Sequence, residues 1–451
     1  MTLDRGRLGA LLGDEERRFR EAHPRSLALF ERARRSLLGG VPMHWMVRWA
    51  GGFPLFVTAG EGAHLTDVDG HRYLDLCLGD TGAMTGHAPA PTVEAVRAQA
   101  GRGFTFMLPT EDAVWVGEEL ARRFGLPYWQ FAVTATDANR FAIRLAREIT
   151  GRPRILVFNW CYHGTVDETF AILRDGRVVA RDGNVGPPVD PAVTTRVVEF
   201  NDVSALEAAL AHGDVACVLA EPALTNVGIV HPEPGFHAAL RELTRRAGTL
   251  LIIDETHTIC TGPGGYTRAH SLDPDILTLG KPVAGGVPGA VYGLSEAVAD
   301  LVRANSRLDV ADTGGIGGTL AANALASAAM RATLEQVLTD ASYRRTIPLA
   351  ERFGAGVEGV IAELSLPWIV KRLGCRVEYW FRPAAPRNGG EAAAAVDPEL
   401  ERYMHLAALN RGILLTPFHN MALLAPAVTE DDVDRHTEVF RESVSAEGLY
   451  H

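Results

Sequence analysis

The pattern of apolar and polar positions changes rhythm twice along the chain. Over the first forty residues the spacing is helical. "SLALFERARRSLLGG" puts Leu27, Phe30, Leu37 and Leu38 near one face and closes on Gly39 and Gly40, a helix stop. The next stretch, "PLFVTAGEGAHLTDVDGHRYLDL" (54–76), alternates and is broken at Glu61-Gly62 and Asp69-Gly70, which predicts small antiparallel strands with tight turns. From about residue 90 to 300, helical stretches alternate with short apolar runs: "RILVFN" (154–159), "VACVLAEP" (215–222), "TLLIID" (249–254), "DILTLG" (275–280) and "AVYGLS" (290–295). Between two of these, "GFHAALRELTRRAG" aligns Phe236, Leu240, Leu243 and Ala247 and stops at Gly248. Such alternation predicts an α/β domain with a mostly parallel central sheet flanked by helices. Beyond residue 320, "ANALASAAMRATLEQVL" predicts a long helix leading into a smaller α+β unit, and "GGEAAAAVD" (389–397) a loop entering a helix. The organisation expected is an N-terminal segment (1–75), a large α/β domain (76–325) and a small C-terminal α+β domain (326–451).

Composition narrows the class. The chain has 451 residues, 47% hydrophobic and 22% charged, which is ordinary for a soluble globular protein of two or three domains. A formal net charge of −11 argues against a nucleic-acid partner and offers no basic face to an anionic membrane. No apolar run has the length of a membrane span, and the charged start lacks a signal-peptide core. A cytoplasmic protein is expected. Cys77, Cys161, Cys217, Cys260 and Cys375 are scattered and never spaced CxxC, so reduced thiols are expected rather than disulfides or a metal site.

In an open α/β sheet, ligands sit beyond the carboxyl ends of the strands. Here those ends carry chemistry. "LLIID" stops on Asp254, a carboxylate that needs a specific partner if buried. "ILTLG" delivers Lys281 between Gly280 and Pro282. "ACVLA" delivers Glu221, and "ILVFN" leads to Tyr162, His163 and Gly164. A lysine among apolar and flexible neighbours can be desolvated and act as a nucleophile, naturally toward an aldehyde. A pyridoxal cofactor accounts for lysine and acid together: the aldehyde bonds to Lys281, and Asp254 faces the protonated pyridine nitrogen. A phosphate requires amides at a helix start. "VTATDANRFAIRLAREITG" supplies one, with a stripe of Ala138, Phe141, Ala142 and Leu145; Ala135 and Thr136 are the candidate phosphate ligands. Tyr162 is a candidate to stack on the ring.

Taken together, these residues resemble the class III, fold-type I pyridoxal-phosphate aminotransferases, the branch with glutamate-1-semialdehyde aminomutase and β-amino-acid aminotransferases. The likeness runs from roughly residue 35 to 445. "TATDA" is similar to the phosphate-cup stretch, "CYHG" to the aromatic-His-Gly motif and "AEPALTNVG" to the Glu-Pro segment. "IIDETHT" is similar to the Asp-Glu motif and "LTLGKPVAGGVP" to the lysine loop. In "GGTLAANALA", Thr319 matches a threonine that reaches the partner subunit's phosphate. The resemblance implies a homodimer with shared active sites and pyridoxal 5′-phosphate held by Ala135, Thr136, Tyr162, His163, Glu221, Asp254, Thr256, Lys281 and Thr319. It also implies a ping-pong Schiff-base mechanism in which Lys281 moves a proton as base and then acid. The donor is then an amine or a (β-)amino acid, and the acceptor a keto acid or aldehyde.

Departures from the family pattern bear on specificity. Ala135 stands where glycine is usual, Trp160 where a glycine precedes the stacking tyrosine, and Thr256 where a valine packs on the ring. "HWMVRWAGG" (44–52) aligns with a pocket segment; Arg48 is the candidate carboxylate fork, with Trp45 as an apolar wall and Trp160 as a further substrate contact. His419 is a further candidate in "LLTPFHNMALL". An aminomutase that shifts the amino group within one molecule shares all these residues. A catalytically silent pyridoxal-binding regulator and a nucleotide-binding dehydrogenase are the readings from other classes; the latter would need "GGIGG" (314–318) to follow a strand.

Overall fold

The computed structural model describes residues 2–305, 315–417 and 419–450, so Gly314 of "GGIGG" lies outside the described residues. The chain forms two compact units. The larger comprises Ala90–Tyr343 with Pro386–Ala394; the other comprises Met1–Pro89, Arg344–Ala385 and Ala395–His451.

The larger unit is built on a seven-stranded sheet. In chain order its strands are β1 (Tyr128–Ala132), β2 (Arg154–Phe158), β3 (Thr195–Val198), β4 (Val215–Ala220), β5 (Leu250–Asp254), β6 (Ile276–Leu279) and β7 (Ala290–Leu294), arranged β1-β7-β6-β5-β4-β2-β3. Every residue of β4, β6 and β7 is buried, as continuous apolar runs covered on both faces demand. The expectation of a mostly parallel sheet holds with one exception: β7 runs antiparallel to both β6 and β1. Only ten residues join β6 to β7, and they contain a single short 3-10 turn, Lys281–Ala284. A parallel return needs a crossover of a dozen residues or more. The remaining six strands are parallel, so their carboxyl ends open on one edge. Two strands did not stand out as apolar runs, β1 ("YWQFA") and β3. Both are edge strands, and β1 has a mixed pattern of burial.

Helix Ala135–Thr150 packs Ala138, Phe141, Ala142 and Leu145 into the core beside β-strand residues Ile155, Val157, Leu219 and Ile252. Thr134 caps its start by accepting the Asp137 N–H at 3.2 Å, and Gly151 ends it with φ 65. A cap of this kind contributes about 1 kcal/mol. The long helix after residue 320 is Ala324–Gln336, capped by Asn323.

In the other unit, strands Val57–Glu61, His64–Asp67 and Arg72–Asp75 form the expected antiparallel meander, joined by Ile413–Leu414. A second sheet joins Ile369–Leu373, Arg376–Trp380 and Met421–Leu423. The N-terminal helical stretch is not continuous. It breaks at His23 into Arg5–Ala22 and Pro24–Ala33, because Pro24 has no N–H to extend the first ladder. The expected stripe also ends early: Leu37 and Leu38 lie past the second helix, with Leu38 92% exposed.

Candidate active site

The apolar run of β5 carries Asp254 to the carboxyl edge of the sheet, where it is buried. Its Oδ2 accepts hydrogen bonds from His163 Nδ1 and Asn139 Nδ2, each at 2.9 Å, and its Oδ1 accepts the Thr256 N–H at 3.0 Å. Asn139 links three segments: it also donates to the His163 carbonyl at 3.1 Å and accepts from Thr278 Oγ1 of β6 at 2.7 Å. Burial alone would raise the Asp254 pKa; the hydrogen bonds and charge of His163, with those from Thr256 and Asn139, bring it down to about 2. Burial likewise opposes a charged His163, but Cys161 and the bond to Asp254 hold its pKa well above the ordinary value. Asp254 is thus an anion in the protein interior. Glu255, next in sequence, turns to Thr258, Tyr266 and Thr267.

Lys281 follows β6 with φ 46, a left-handed conformation that costs a non-glycine residue about 1–3 kcal/mol. Gly280 before it is required by space: a Cβ there would lie 2.8 Å from the Ala135 Cβ. The lysine loop therefore rests on the start of helix Ala135–Thr150. Lys281 Nζ lies 2.8 Å from His257 Nε2. On the other side of that helix start, a Cβ on Gly164 would meet Thr136 Oγ1 at 2.1 Å, and Thr136 Oγ1 accepts the Thr165 N–H at 3.0 Å. The sheet edge thus gathers Asp254, His163, Thr256, Ala135, Thr136 and Lys281.

The remaining expected residues are placed as follows. Tyr162 sets the edge of its ring against Phe170, with centroids 6.0 Å apart. Glu221 is buried and accepts the Thr225 hydroxyl. Trp160 adopts φ 62, a conformation that favours the glycine usual at this position, and its ring lies under the Arg181 guanidinium at 5.0 Å. Its carbonyl accepts from Asn226 at 3.2 Å. Thr256 Oγ1 is buried with no hydrogen-bond partner among the described residues. Thr319 is exposed. Trp45 and Arg48 belong to the other unit, where Trp45 lies in the short turn His44–Val47 and Arg48 follows it, exposed. His419, in that unit too, is buried and bonded to Glu378 at 2.7 Å.

Sequence reasoning passed over three residues: Asn139, Thr278 and His257. Asn139 had a weak signal, an amide next to the apolar stripe of Ala138 and Ala142, and the fold buries it fully. Composition held another. Of 44 Lys and Arg residues only two are lysines, Lys281 and Lys371. A chain that uses arginine almost everywhere keeps lysine at this strand end, and arginine cannot form an imine.

The donors and acceptors fit a pyridoxal phosphate. Among the described residues Asp254 Oδ1 accepts one hydrogen bond, leaving an acceptor position for a ring N–H. The first amides of helix Ala135–Thr150 and the Thr136 hydroxyl suit a phosphate. A strand-end lysine, a buried carboxylate one strand away and a helix start beneath both define a fold-type I pyridoxal-phosphate enzyme. The chain belongs to the class-III aminotransferase family, which matches residues 46–444. Its cofactor is pyridoxal 5′-phosphate, and the family acts on small-molecule amines. Among curated proteins it is 37% identical to the glutamate-1-semialdehyde 2,1-aminomutase of Sorangium cellulosum, over 94% of this chain and 97% of that one. Among solved structures it is similar to a glutamate-1-semialdehyde aminomutase of Pseudomonas aeruginosa (54% identity, TM-score 0.95, 98% and 99% covered), which has also been solved as a lysine-to-alanine variant with PMP. It is also similar to an omega-transaminase of Sphaerobacter thermophilus (30% identity, TM-score 0.85, 93% and 97% covered).

Proposed function

We propose that the chain removes an amino group from a small amine or (β-)amino acid and delivers it to a keto acid or aldehyde. The observation that carries this reading is the pairing of Lys281, at the end of β6, with the buried anion Asp254, at the end of the neighbouring strand β5. Bound pyridoxal phosphate supplies an aldehyde that takes up an amine and a ring that withdraws an electron pair from the adjacent carbon. Asp254 keeps the ring nitrogen protonated, and His163, Asn139 and Thr256 hold that carboxylate ionised and oriented. Lys281, once released, takes a proton from the donor carbon and returns it elsewhere, as base and then acid. Ala135 and Thr136 bind the phosphate. Tyr162 would stack on the ring, Thr256 would border it and Glu221 would order the pocket wall. Trp160 shapes the apolar side of the substrate pocket.

A homodimer is part of the proposal, with Thr319 serving the partner's phosphate. The exposed apolar residues Phe104, Phe106, Met107, Leu108 and Leu320 support it as surface awaiting cover. Five buried free cysteines suit a cytoplasmic setting.

A second reading is an intramolecular shift of the amino group. It is favoured by the aminomutases at 37% and 54% identity. Turnover assayed with and without an added keto acid separates the two: a strict requirement excludes the mutase, and full turnover without one excludes the transaminase. Both readings share one test, borohydride reduction of the loaded protein followed by peptide mapping. The label is expected on Lys281; label on Lys371 would overturn them together.

A further inference from the structure

We propose that His257 is the proton partner of Lys281: it takes the proton from the released lysine ammonium, freeing the amine to act as base, and hands it back. This rests on the reading of Lys281 as the amine that serves the cofactor. The geometry comes from one short turn. β5 ends at Asp254, and three residues later His257 precedes the 3-10 turn Thr258–Thr261. The turn carries the imidazole to the exit of β6, where Nε2 lies 2.8 Å from Lys281 Nζ. Both side chains belong to half-buried residues.

A hydrogen bond between the two nitrogens needs one lone pair, so across this contact one donates and the other accepts, the geometry along which a proton passes. In the forward step the Nζ–H bond breaks, the Nε2–H bond forms and the positive charge passes from ammonium to imidazolium. The return step reverses this, with no net change. Of the two carboxylates where β5 ends, Asp254 is held by His163, Asn139 and Thr256, and Glu255 by Thr258, Tyr266 and Thr267. His163 donates its Nδ1–H to Asp254, whereas the His257 imidazole is in contact with the lysine.

The scarcity of lysine makes the test direct. Lys371→Arg protein grown on ε-13C lysine and loaded with pyridoxamine phosphate gives one lysine signal, that of free Lys281. Its shift against pH should show two inflections, its own and that of His257; in His257→Phe and His257→Gln only one should remain. The amine half-reaction of the pyridoxal-phosphate form supplies a second readout. Its rate should fall on the acid side as His257 protonates. The Phe and Gln variants should lose that limb and slow by about 100-fold, the lower range for general acid–base catalysis. Added imidazole should partly restore a His257→Ala variant. A single inflection in the parent protein, or an unchanged pH profile in both variants, overturns the proposal. Borohydride label on Lys371 would instead sink the functional reading beneath it.

Discussion

Two carboxylates stand side by side where β5 ends, and the fold treats them in opposite ways. Asp254 and Glu255 are both buried, and each collects hydrogen bonds from three groups. Among the donors to Asp254 is an imidazole that can carry charge. Among the described residues the donors to Glu255 are neutral, the Thr258 hydroxyl and the Tyr266 and Thr267 amides. The Asp254 pKa falls to about 2, whereas burial raises that of Glu255 above the ordinary 4.5 despite its three bonds. Burial and bond count therefore do not by themselves set the direction in which an interior acid is shifted; a partner of opposite charge does. The first acid stands at the carboxyl edge of the sheet, and the second ties the following loop together.

The largest expected difference is in rate. Asp254→Asn should slow the amine half-reaction by about 100- to 1000-fold, the scale for losing one preorganised electrostatic partner. Glu255→Gln should stay within a few-fold. Equal losses in stopped-flow traces of the two variants would erase the distinction. The next difference is in stability. Glu255→Ala leaves the Thr258 hydroxyl and two amides without their acceptor, which should cost about 3 kcal/mol in denaturant unfolding. A midpoint equal to that of the parent would deny Glu255 its structural role.

The smallest difference is in pH dependence, where the two acids have opposite signs. The folded pKa of Asp254 is depressed, so its contribution is present above the ordinary 3.8 and is lost as pH falls toward about 2. The folded pKa of Glu255 is raised, so its contribution is present below 4.5 and is lost as pH rises through the folded value. Glu255→Gln should therefore flatten the decline in thermal midpoint as pH rises above 4.5, and Asp254→Asn should flatten the loss as pH falls below 3.8. If neither slope changes, these side chains are not the source.

How much of this was legible follows from where each signal resides. Asp254 and Lys281 stood out because each ends an apolar run, and helix Ala135–Thr150 because its stripe, cap and terminal glycine agree. The direction of β7 was hidden, since its continuous apolar run is the same in either orientation; only the length of the connection from β6 carried the answer. β1 and β3 were missed because edge strands are covered less evenly. Asn139 and His257 were obscured by stronger neighbours, as single polar residues inside segments already explained by a helix and by an acid. Trp160 showed as an oddity in sequence, but its left-handed backbone and its stacking with Arg181 arise only from the turn after β2. Arg48 and Trp45 came from resemblance alone and lie in the other unit.

The near-absence of lysine has a practical consequence. An aldehyde offered to this polypeptide finds one amine at the proposed centre, one in the strand Ile369–Leu373 beside Glu378, and the α-amine. With Lys371 exchanged for arginine, the background to yellow colour at that centre shrinks to the α-amine alone, far below the adducts that complicate such counts in lysine-rich enzymes.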